Sequence, residues 1–208
     1  MTTRIKICGI TRQDDADTVV DSGAQALGLV FVDASPRRVT IERARDIARQ
    51  VRGAVTRVGL FVDPAADEVA RVLDSVELDV LQFHGNEPAA FCRGFGLPFM
   101  KALRMRPPST FEPFEEEYAD ACCLLLDAYV DGVAGGTGEP FDWSLWPEAA
   151  RLPLVLAGGL TPDNVAAAVS RLQPWGVDVS GGVEGARHGE KDADRIRRFV
   201  DEVNRARS

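Results

Sequence analysis

The 208-residue sequence contains only two histidines, four cysteines and three tryptophans, and it has no long apolar run. Without a run of about 20 apolar residues it offers no candidate transmembrane helix. Arg4 and Lys6 interrupt the short apolar start, which argues against a secretory signal peptide. The cysteines fit neither a disulfide framework nor a zinc-binding spacing; they are Cys8, Cys92, Cys122 and Cys123. These absences predict a soluble, reduced protein of the cytoplasm.

Positive charge is also scarce, because 24 lysines and arginines stand against 32 aspartates and glutamates, for a net charge of −8. Such a balance does not suit a surface that binds nucleic acid or an anionic membrane, so we expect neither as a partner. An anionic small molecule would have to be bound locally, by backbone N–H groups and a few arginines. The length and the apolar fraction of 45% fit one globular domain spanning residues 1–208.

What the sequence does contain is a regular alternation of short apolar runs and helical patterns, without a linker or a repeat. The apolar runs predict eight strands, at residues 4–8, 26–31, 55–61, 79–83, 98–103, 122–127, 152–157 and 177–180. Eight strands that alternate with about eight helices predict an α/β protein, a single (β/α)8 TIM barrel of parallel strands with surrounding helices. A doubly wound open sheet is the alternative, but it usually has fewer strands and an early glycine fingerprint.

Several helix boundaries can be predicted from capping and proline rules. Thr11 and Thr161 are expected as N-caps, and Pro64 is expected at the first position of a helix. Residues 141–150 are expected to form a helix, whereas Pro113 predicts a short or broken helix in its segment.

The first strand places Lys6 and Cys8 on one face, with Cys8 at the carboxyl end. Most strand cysteines are small buried hydrophobic residues, but ligands bind at the carboxyl ends of parallel strands. A nearby lysine is expected to favour the thiolate form of Cys8. Asp178 lies on the strand that would close the barrel onto the first one. We therefore predict that Lys6 and Asp178 pair, because two unpaired buried charges are each costly.

Two Gly-Gly pairs follow the last two predicted strands, Gly158-Gly159 and Gly181-Gly182. In barrel enzymes these two loops commonly bind a phosphate through backbone N–H groups. One such pair could simply form a tight turn, but two pairs in the two expected loops favour a phosphate site.

Other polar residues lie where the predicted strands end. Asp127 follows three leucines, so its carboxyl group is expected to be desolvated or paired with a cation, and it could serve as an acid opposite Cys8. Arg37 and Arg38 follow the second strand and could bind a carboxylate. His84 and Gln82, at the end of the fourth strand, are candidates to line the site.

Seven motifs run in order along the chain: Lys6–Thr11, Ser35–Arg38, Gln82–Gly85, Leu124–Asp127, Gly136–Gly138, Phe141–Trp143 and Asp178–Glu184. Together they resemble the phosphoribosylanthranilate isomerase family of tryptophan biosynthesis, over residues 5–192. The resemblance implies the barrel, neither a metal ion nor an organic cofactor, and an intramolecular oxidoreductase (an aldose–ketose isomerase). The reaction would be the Amadori rearrangement of N-(5-phosphoribosyl)anthranilate to 1-(2-carboxyphenylamino)-1-deoxyribulose 5-phosphate, the third step after chorismate.

The same resemblance implies roles for individual residues. Cys8 would be the general base, Asp127 the general acid, and Arg37 the group that meets the anthranilate carboxylate, with its neighbour Arg38 as an open alternative. The phosphate would lie on the N–H groups around Gly136, Gly158, Gly159, Gly181 and Gly182. Lys6, Gln82, His84, Asp178 and Ser180 would line the site. Family members often have two serines before the glycine of the last motif, where this chain has Ser180-Gly181-Gly182.

Three other functions compete with this interpretation. The related isomerase of histidine biosynthesis is expected to use a pair of aspartates, so Cys8 argues against it. A phosphate-binding barrel without catalysis would not need both Cys8 and Asp127. A thiol redox function lacks a resolving cysteine near Cys8 in the sequence. The expected partner is a phosphosugar–anthranilate substrate, and the expected oligomeric state is a monomer or homodimer.

Overall fold

A computed structural model of the chain describes residues 2–105, 111–128 and 143–206. Its eight strands are all parallel and form a closed barrel in chain order. The strands are β1 Arg4–Cys8, β2 Ala26–Val30, β3 Thr56–Phe61, β4 Val80–Phe83, β5 Phe99–Met105, β6 Cys123–Ala128, β7 Leu154–Leu156 and β8 Gly176–Val179. The predicted (β/α)8 barrel is confirmed, with every strand within about two residues of its predicted bounds.

Helices surround the barrel and pack on it through narrow apolar stripes, as α2 does with Ala44, Ile47 and Ala48. The α-helices in the described ranges are α1 Gln13–Asp21, α2 Ile41–Gln50, α3 Ala66–Leu73, α4 Ala89–Cys92, α5 Phe111–Glu117, α6 Val165–Leu172 and α7 Ala193–Arg205. Short 3-10 turns occupy Arg93–Phe95, Trp143–Leu145 and Gly181–Val183. None of the helices in these ranges is long and apolar enough to cross a membrane.

Strand alternation divides the buried residues into two layers. Outward-facing apolar side chains pack against the helices in one large cluster. A smaller cluster fills the barrel interior; it consists of Met100, Ala102, Cys123, Leu125, Val155 and Ala157. Two residues beyond Leu125 on the same face of β6, Asp127 points inward at the carboxyl end of the barrel.

Some predicted helix boundaries are wrong, because the predicted caps have other partners. Thr11 donates its hydroxyl to Gly189 O at 2.5 Å, so α1 begins later, with Arg12 at the N-cap. Pro64 lies two residues before α3 rather than in its first turn. Thr161 accepts from the amide of Asp163 at 3.2 Å and opens a separate turn, so α6 begins only at Val165.

The two uncertain helical regions differ in outcome. Within predicted helix 141–150, the described part contains only the 3-10 turn Trp143–Leu145, and residues 141 and 142 lie outside the described ranges. Pro113 lies in the first turn of α5, where its missing N–H has no intrahelical partner to lose. A short helix, as predicted, therefore tolerates this proline.

Candidate active site

Lys6 and Asp178 form a buried ion pair inside the barrel, at the junction of β1 and β8. Lys6 Nζ donates to Asp178 Oδ1 at 2.9 Å, and their side chains are 5% and 10% exposed. Strand register places the two residues directly opposite each other, which confirms the predicted pairing. Burial lowers the pKa of Lys6, but the interactions with Asp178 and Cys8 outweigh burial and raise it. Lys6 is therefore a fixed cation beneath Cys8.

Gly28 makes room for the Cys8 thiol on the neighbouring strand. The two residues are paired in the β1–β2 register. A Cβ atom at position 28 would lie only 2.7 Å from Cys8 Sγ and 3.2 Å from Lys6 Nζ. Any larger residue would displace the thiol, so Gly28 belongs to the site. Gly28 was not among the predicted site residues. The sequence feature that could have indicated it is a glycine inside an otherwise apolar strand.

Burial and the neighbouring charges act on the Cys8 thiol in opposite directions. Burial raises its pKa, Lys6 lowers it, Asp178 adds to the rise, Lys191 lowers it, and the net shift is upward. Lys6 therefore favours the thiolate, as predicted, but desolvation outweighs the cations.

Asp127 lies at the carboxyl end of β6 and is hydrogen-bonded to His84. The distance from His84 Nε2 to Asp127 Oδ2 is 3.1 Å, and both side chains are largely buried. Gln82 lies on β4, two residues before His84. Its Nε2 is 3.2 Å from His84 Nδ1. The three predicted residues thus form one hydrogen-bonded chain from the barrel interior to its mouth.

Arg37 and Arg38, which the sequence could not tell apart, lie in different environments. The Arg37 Nε and Nη2 atoms donate to the two carboxylate oxygens of Glu184 at 2.7 and 2.9 Å. Its guanidinium lies beside the loop after β8, with Nη2 at 3.3 Å from where a Cβ of Gly181 would be. Arg38 instead pairs with Asp33 on the surface, at 54% exposure. Arg37 is the arginine at the mouth of the barrel.

Glu184 connects Arg37 to a second buried cation, Lys191. The carboxylate accepts from Lys191 Nζ at 3.3 Å and from the Gly189 amide at 3.0 Å. Burial opposes ionisation, but Arg37, Lys191 and the Gly189 amide outweigh it and lower the pKa of Glu184 to about 2. The pKa of Lys191 is lowered by its burial. Glu184 ends one of the seven motifs but was not predicted to have a role. No local sequence pattern indicated Lys191.

Ser180 ties this network to the first strand. Its hydroxyl donates to Cys8 O at 3.1 Å, and its own carbonyl accepts from Lys191 Nζ at 3.0 Å. Ser180 thus holds the backbone of Cys8 in place, rather than contacting its thiol.

The Glu184 network should make the protein sensitive to acid. Because the folded-state pKa is lowered from 4.5 to about 2, the contribution of Glu184 is complete above pH 4.5 and is lost as the pH falls towards 2. That shift corresponds to about 3 kcal/mol of unfolding free energy. We expect Glu184→Gln to flatten the fall of stability in this window, measured by urea unfolding at several pH values. Replacing the exposed Glu42 by glutamine should leave the curve unchanged, and a Glu184→Gln curve parallel to wild type would contradict the expectation.

The loops after β7 and β8 meet at their backbones. A Cβ at Gly182 would lie 1.9 Å from Leu160 O, so only glycine allows this approach. Gly158 and Gly159 adopt left-handed φ angles of 86° and 63°. In the ranges that the structure describes, the amides of these three glycines and of Gly181 have no hydrogen-bond acceptor. Four free N–H groups on two adjoining loops are suited to an anion.

Gly136, the remaining predicted phosphate-binding residue, lies outside the described residues. Among the residues that are described, no group of three or more His, Cys, Asp or Glu side chains is placed to hold a metal ion.

Comparison with known proteins assigns the chain to a family. A model of the family described as N-(5'phosphoribosyl)anthranilate (PRA) isomerase matches residues 5–202. The N-(5'-phosphoribosyl)anthranilate isomerase of Pseudomonas paraeruginosa is 55% identical over 200 residues, which make up 96% of this chain and 94% of the relative.

Solved structures agree with this assignment. The crystal structure of phosphoribosyl anthranilate isomerase from Thermotoga maritima is 38% identical and superposes with a TM-score of 0.86, covering 98% of this chain and 99% of its own. A structure of phosphoribosyl anthranilate isomerase with reduced 1-(o-carboxyphenylamino)-1-deoxyribulose 5-phosphate is 37% identical, with a TM-score of 0.83 and the same coverage. The resemblance carried by the seven motifs is thereby confirmed, and the chain belongs to the phosphoribosylanthranilate isomerase family.

Proposed function

We propose that this chain converts N-(5-phosphoribosyl)anthranilate to 1-(2-carboxyphenylamino)-1-deoxyribulose 5-phosphate, with Cys8 as general base and Asp127 as general acid. One observation carries the proposal: a buried thiol and a buried carboxyl group lie at the same end of one barrel, on strands β1 and β6. These strands stand on different sides of the mouth, so the two groups can reach a substrate from different directions. An aldose–ketose isomerisation needs one proton donor and one proton acceptor in such an arrangement.

The reaction would proceed by two proton transfers. Asp127 gives its proton to the ribose ring oxygen, the bond from that oxygen to C1′ breaks, and a protonated Schiff base forms. Cys8 then removes the proton from C2′ to give an enolamine, which tautomerises to the ketose. Every bond that breaks or forms does so together with the gain or loss of a proton. One acid and one base therefore suffice for the chemistry.

The raised pKa of Cys8 fits this order of events. Ring opening creates a cationic Schiff base next to the thiol, and a positive charge within a few ångströms favours the thiolate. Lys6 and Lys191 already act in the same direction. Cys8 must release its own proton to solvent before it can accept the C2′ proton, and these three positive charges favour that release. The thiolate is regenerated when Cys8 gives the C2′ proton to C1′ as the ketose forms.

The substrate's two anionic groups would be bound by two neighbouring parts of the mouth, since Arg37 lies beside Gly181. The phosphate would lie on the free N–H groups of Gly158, Gly159, Gly181 and Gly182. Arg37 would meet the anthranilate carboxylate through the guanidinium edge that Glu184 leaves open, since Glu184 occupies only the edge formed by Nε and Nη2.

The proposal is tested by following the loss of phosphoribosylanthranilate fluorescence with the wild type and with matched Arg37→Ala and Arg38→Ala variants. We expect turnover by the wild type, and a KM raised about 10- to 100-fold by Arg37→Ala, as for lost hydrogen bonds to a charged group. Arg38→Ala should change KM less than about twofold, because its side chain points to solvent. No turnover by the wild type would exclude the proposed function, and equal effects of the two variants would exclude the role of Arg37.

We also propose that the enzyme acts in the cytoplasm as a monomer or homodimer. All four cysteines are free thiols, which suits a reducing compartment.

A further inference from the structure

Gln82 is completely buried and has one side-chain atom without a partner. Its Nε2 lies 3.2 Å from His84 Nδ1, whereas its Oε1 is buried and accepts no hydrogen bond. An amide nitrogen can only donate, so in this orientation Nδ1 accepts and the imidazole proton lies on Nε2. Nε2–H then donates to Asp127 Oδ2 at 3.1 Å, which suits an ionised carboxylate.

The opposite arrangement uses the same heavy-atom positions. Half a turn of the Gln82 amide presents Oε1 to His84, which then carries its proton on Nδ1. The Nε2 lone pair of His84 can now accept a hydrogen bond from protonated Asp127. In the orientation shown, the far end of the amide already lacks a partner, so the usual penalty of about 1–3 kcal/mol for a buried unpaired group gives that orientation no advantage over the reverse.

We propose that Gln82 is a positioning residue that keeps Asp127 protonated by selecting the Nδ1–H tautomer of His84. The inference rests on the proposed role of Asp127 as general acid, and it identifies what maintains that acid. The proton that Asp127 gives to the ring oxygen is replaced when the enolamine hydroxyl loses its proton on forming the ketone, so the cycle closes without an outside donor.

The charged groups around the three residues are mostly paired with one another. The titratable groups that face them are Arg104 on β5, Asp63 beside Gly85, Lys101 and Glu87 behind the loop after β4, and Lys6, Cys8 and Asp178 across the barrel. Lys101 and Lys6 are neutralised by Glu87 at 2.6 Å and by Asp178 at 2.9 Å. Arg104 is the register partner of Asp127, but among the described residues the ion pair of Asp127 is with His84. The hydrogen bond from His84 is therefore the contact through which the surroundings act on Asp127.

The tautomer can be read directly, because the chain contains only two histidines. In a ¹⁵N-histidine NMR spectrum the second signal is that of His188, which is 77% exposed and has Nδ1 at 3.3 Å from Glu184 Oε2, so a Gln82 variant should leave it unchanged. We expect His84 of the wild type, without substrate at neutral pH, to carry its proton on Nδ1. Gln82→Glu, whose carboxylate can only accept when ionised, should keep that tautomer above the pKa of the new carboxyl group, and Gln82→Met should shift the proton to Nε2. A wild-type His84 protonated on Nε2 would overturn the proposal and needs no variant.

The activity of the same variants separates a positioning role from a structural one. Gln82→Met should lower kcat about 10-fold or more with KM nearly unchanged, as for loss of a general acid's protonated form. It should also move the alkaline limb of the kcat–pH profile to lower pH, whereas Gln82→Glu should not. A loss of stability with an unmoved alkaline limb would contradict the proposal. The NMR measurement is made without substrate and does not depend on turnover. An inactive wild type would therefore overturn the proposed function, whereas only the NMR spectrum would decide the tautomer of His84.

Discussion

Replacing Cys8 with alanine should lower kcat by about 10²- to 10⁴-fold, the usual effect of losing a general base. KM should stay within about threefold, because the substrate's phosphate and carboxylate are bound by other residues. The alanine also removes a sulfur atom that packs against Gly28, where the barrel is tight, so folding should be little affected. The measurement is steady-state kinetics on phosphoribosylanthranilate, with thermal unfolding as a check on structure.

Cys92 provides a matched control for this experiment. It is also a fully buried thiol, and burial raises its pKa to about 11. It lies on α4, outside the barrel, and its Sγ donates a hydrogen bond to Glu87 O at 3.8 Å. Cys92→Ala should therefore cost some stability while kcat stays near the wild-type value. A Cys8→Ala enzyme that keeps near-wild-type turnover would remove Cys8 from the reaction.

The strands could be predicted from sequence because each depends on local information. Runs such as Leu124–Leu126 are apolar at every position, which marks a strand buried on both faces. Helix starts were harder, since a capping side chain can be taken by a distant partner. Thr11 binds Gly189, which is far away in the sequence. Local rules cannot anticipate a contact that exists only once the barrel has closed.

The residues of the site also differ in whether local sequence information could predict them. Cys8 and Asp127 could be singled out because strand ends in this fold are where ligands bind. The space made by Gly28 and the support given by Lys191 depend on side-chain packing between elements, which no motif encodes. The effect of Lys6 on the Cys8 pKa could be predicted, but the net upward shift could not, because the desolvation that outweighs it is set by the whole fold.

The buried Lys6–Asp178 pair should give the largest effect on stability. Lys6→Met should lower the unfolding free energy by about 3–5 kcal/mol, because it leaves the Asp178 carboxylate buried without a partner. The double variant Lys6→Met/Asp178→Leu should recover most of that loss, since no buried charge then remains unpaired. Urea unfolding followed by circular dichroism at neutral pH measures all three proteins. The exposed pair Arg197–Asp194 is a suitable control, and Arg197→Met should cost less than about 1 kcal/mol.

The double variant also separates the structural part of the pair from its part in catalysis. If Lys6 only closes the barrel, a refolded double variant should regain activity together with stability. We expect instead that it folds and stays impaired, because Cys8 has lost the nearest cation that opposes desolvation of its thiolate. The remaining cation, Lys191, would then have to favour the thiolate alone while its own charge is weakened by burial. A double variant with wild-type kcat would show that the pair acts on folding only. A Lys6→Met variant as stable as the wild type would contradict the prediction that an unpaired, buried Asp178 carboxylate destabilises the fold.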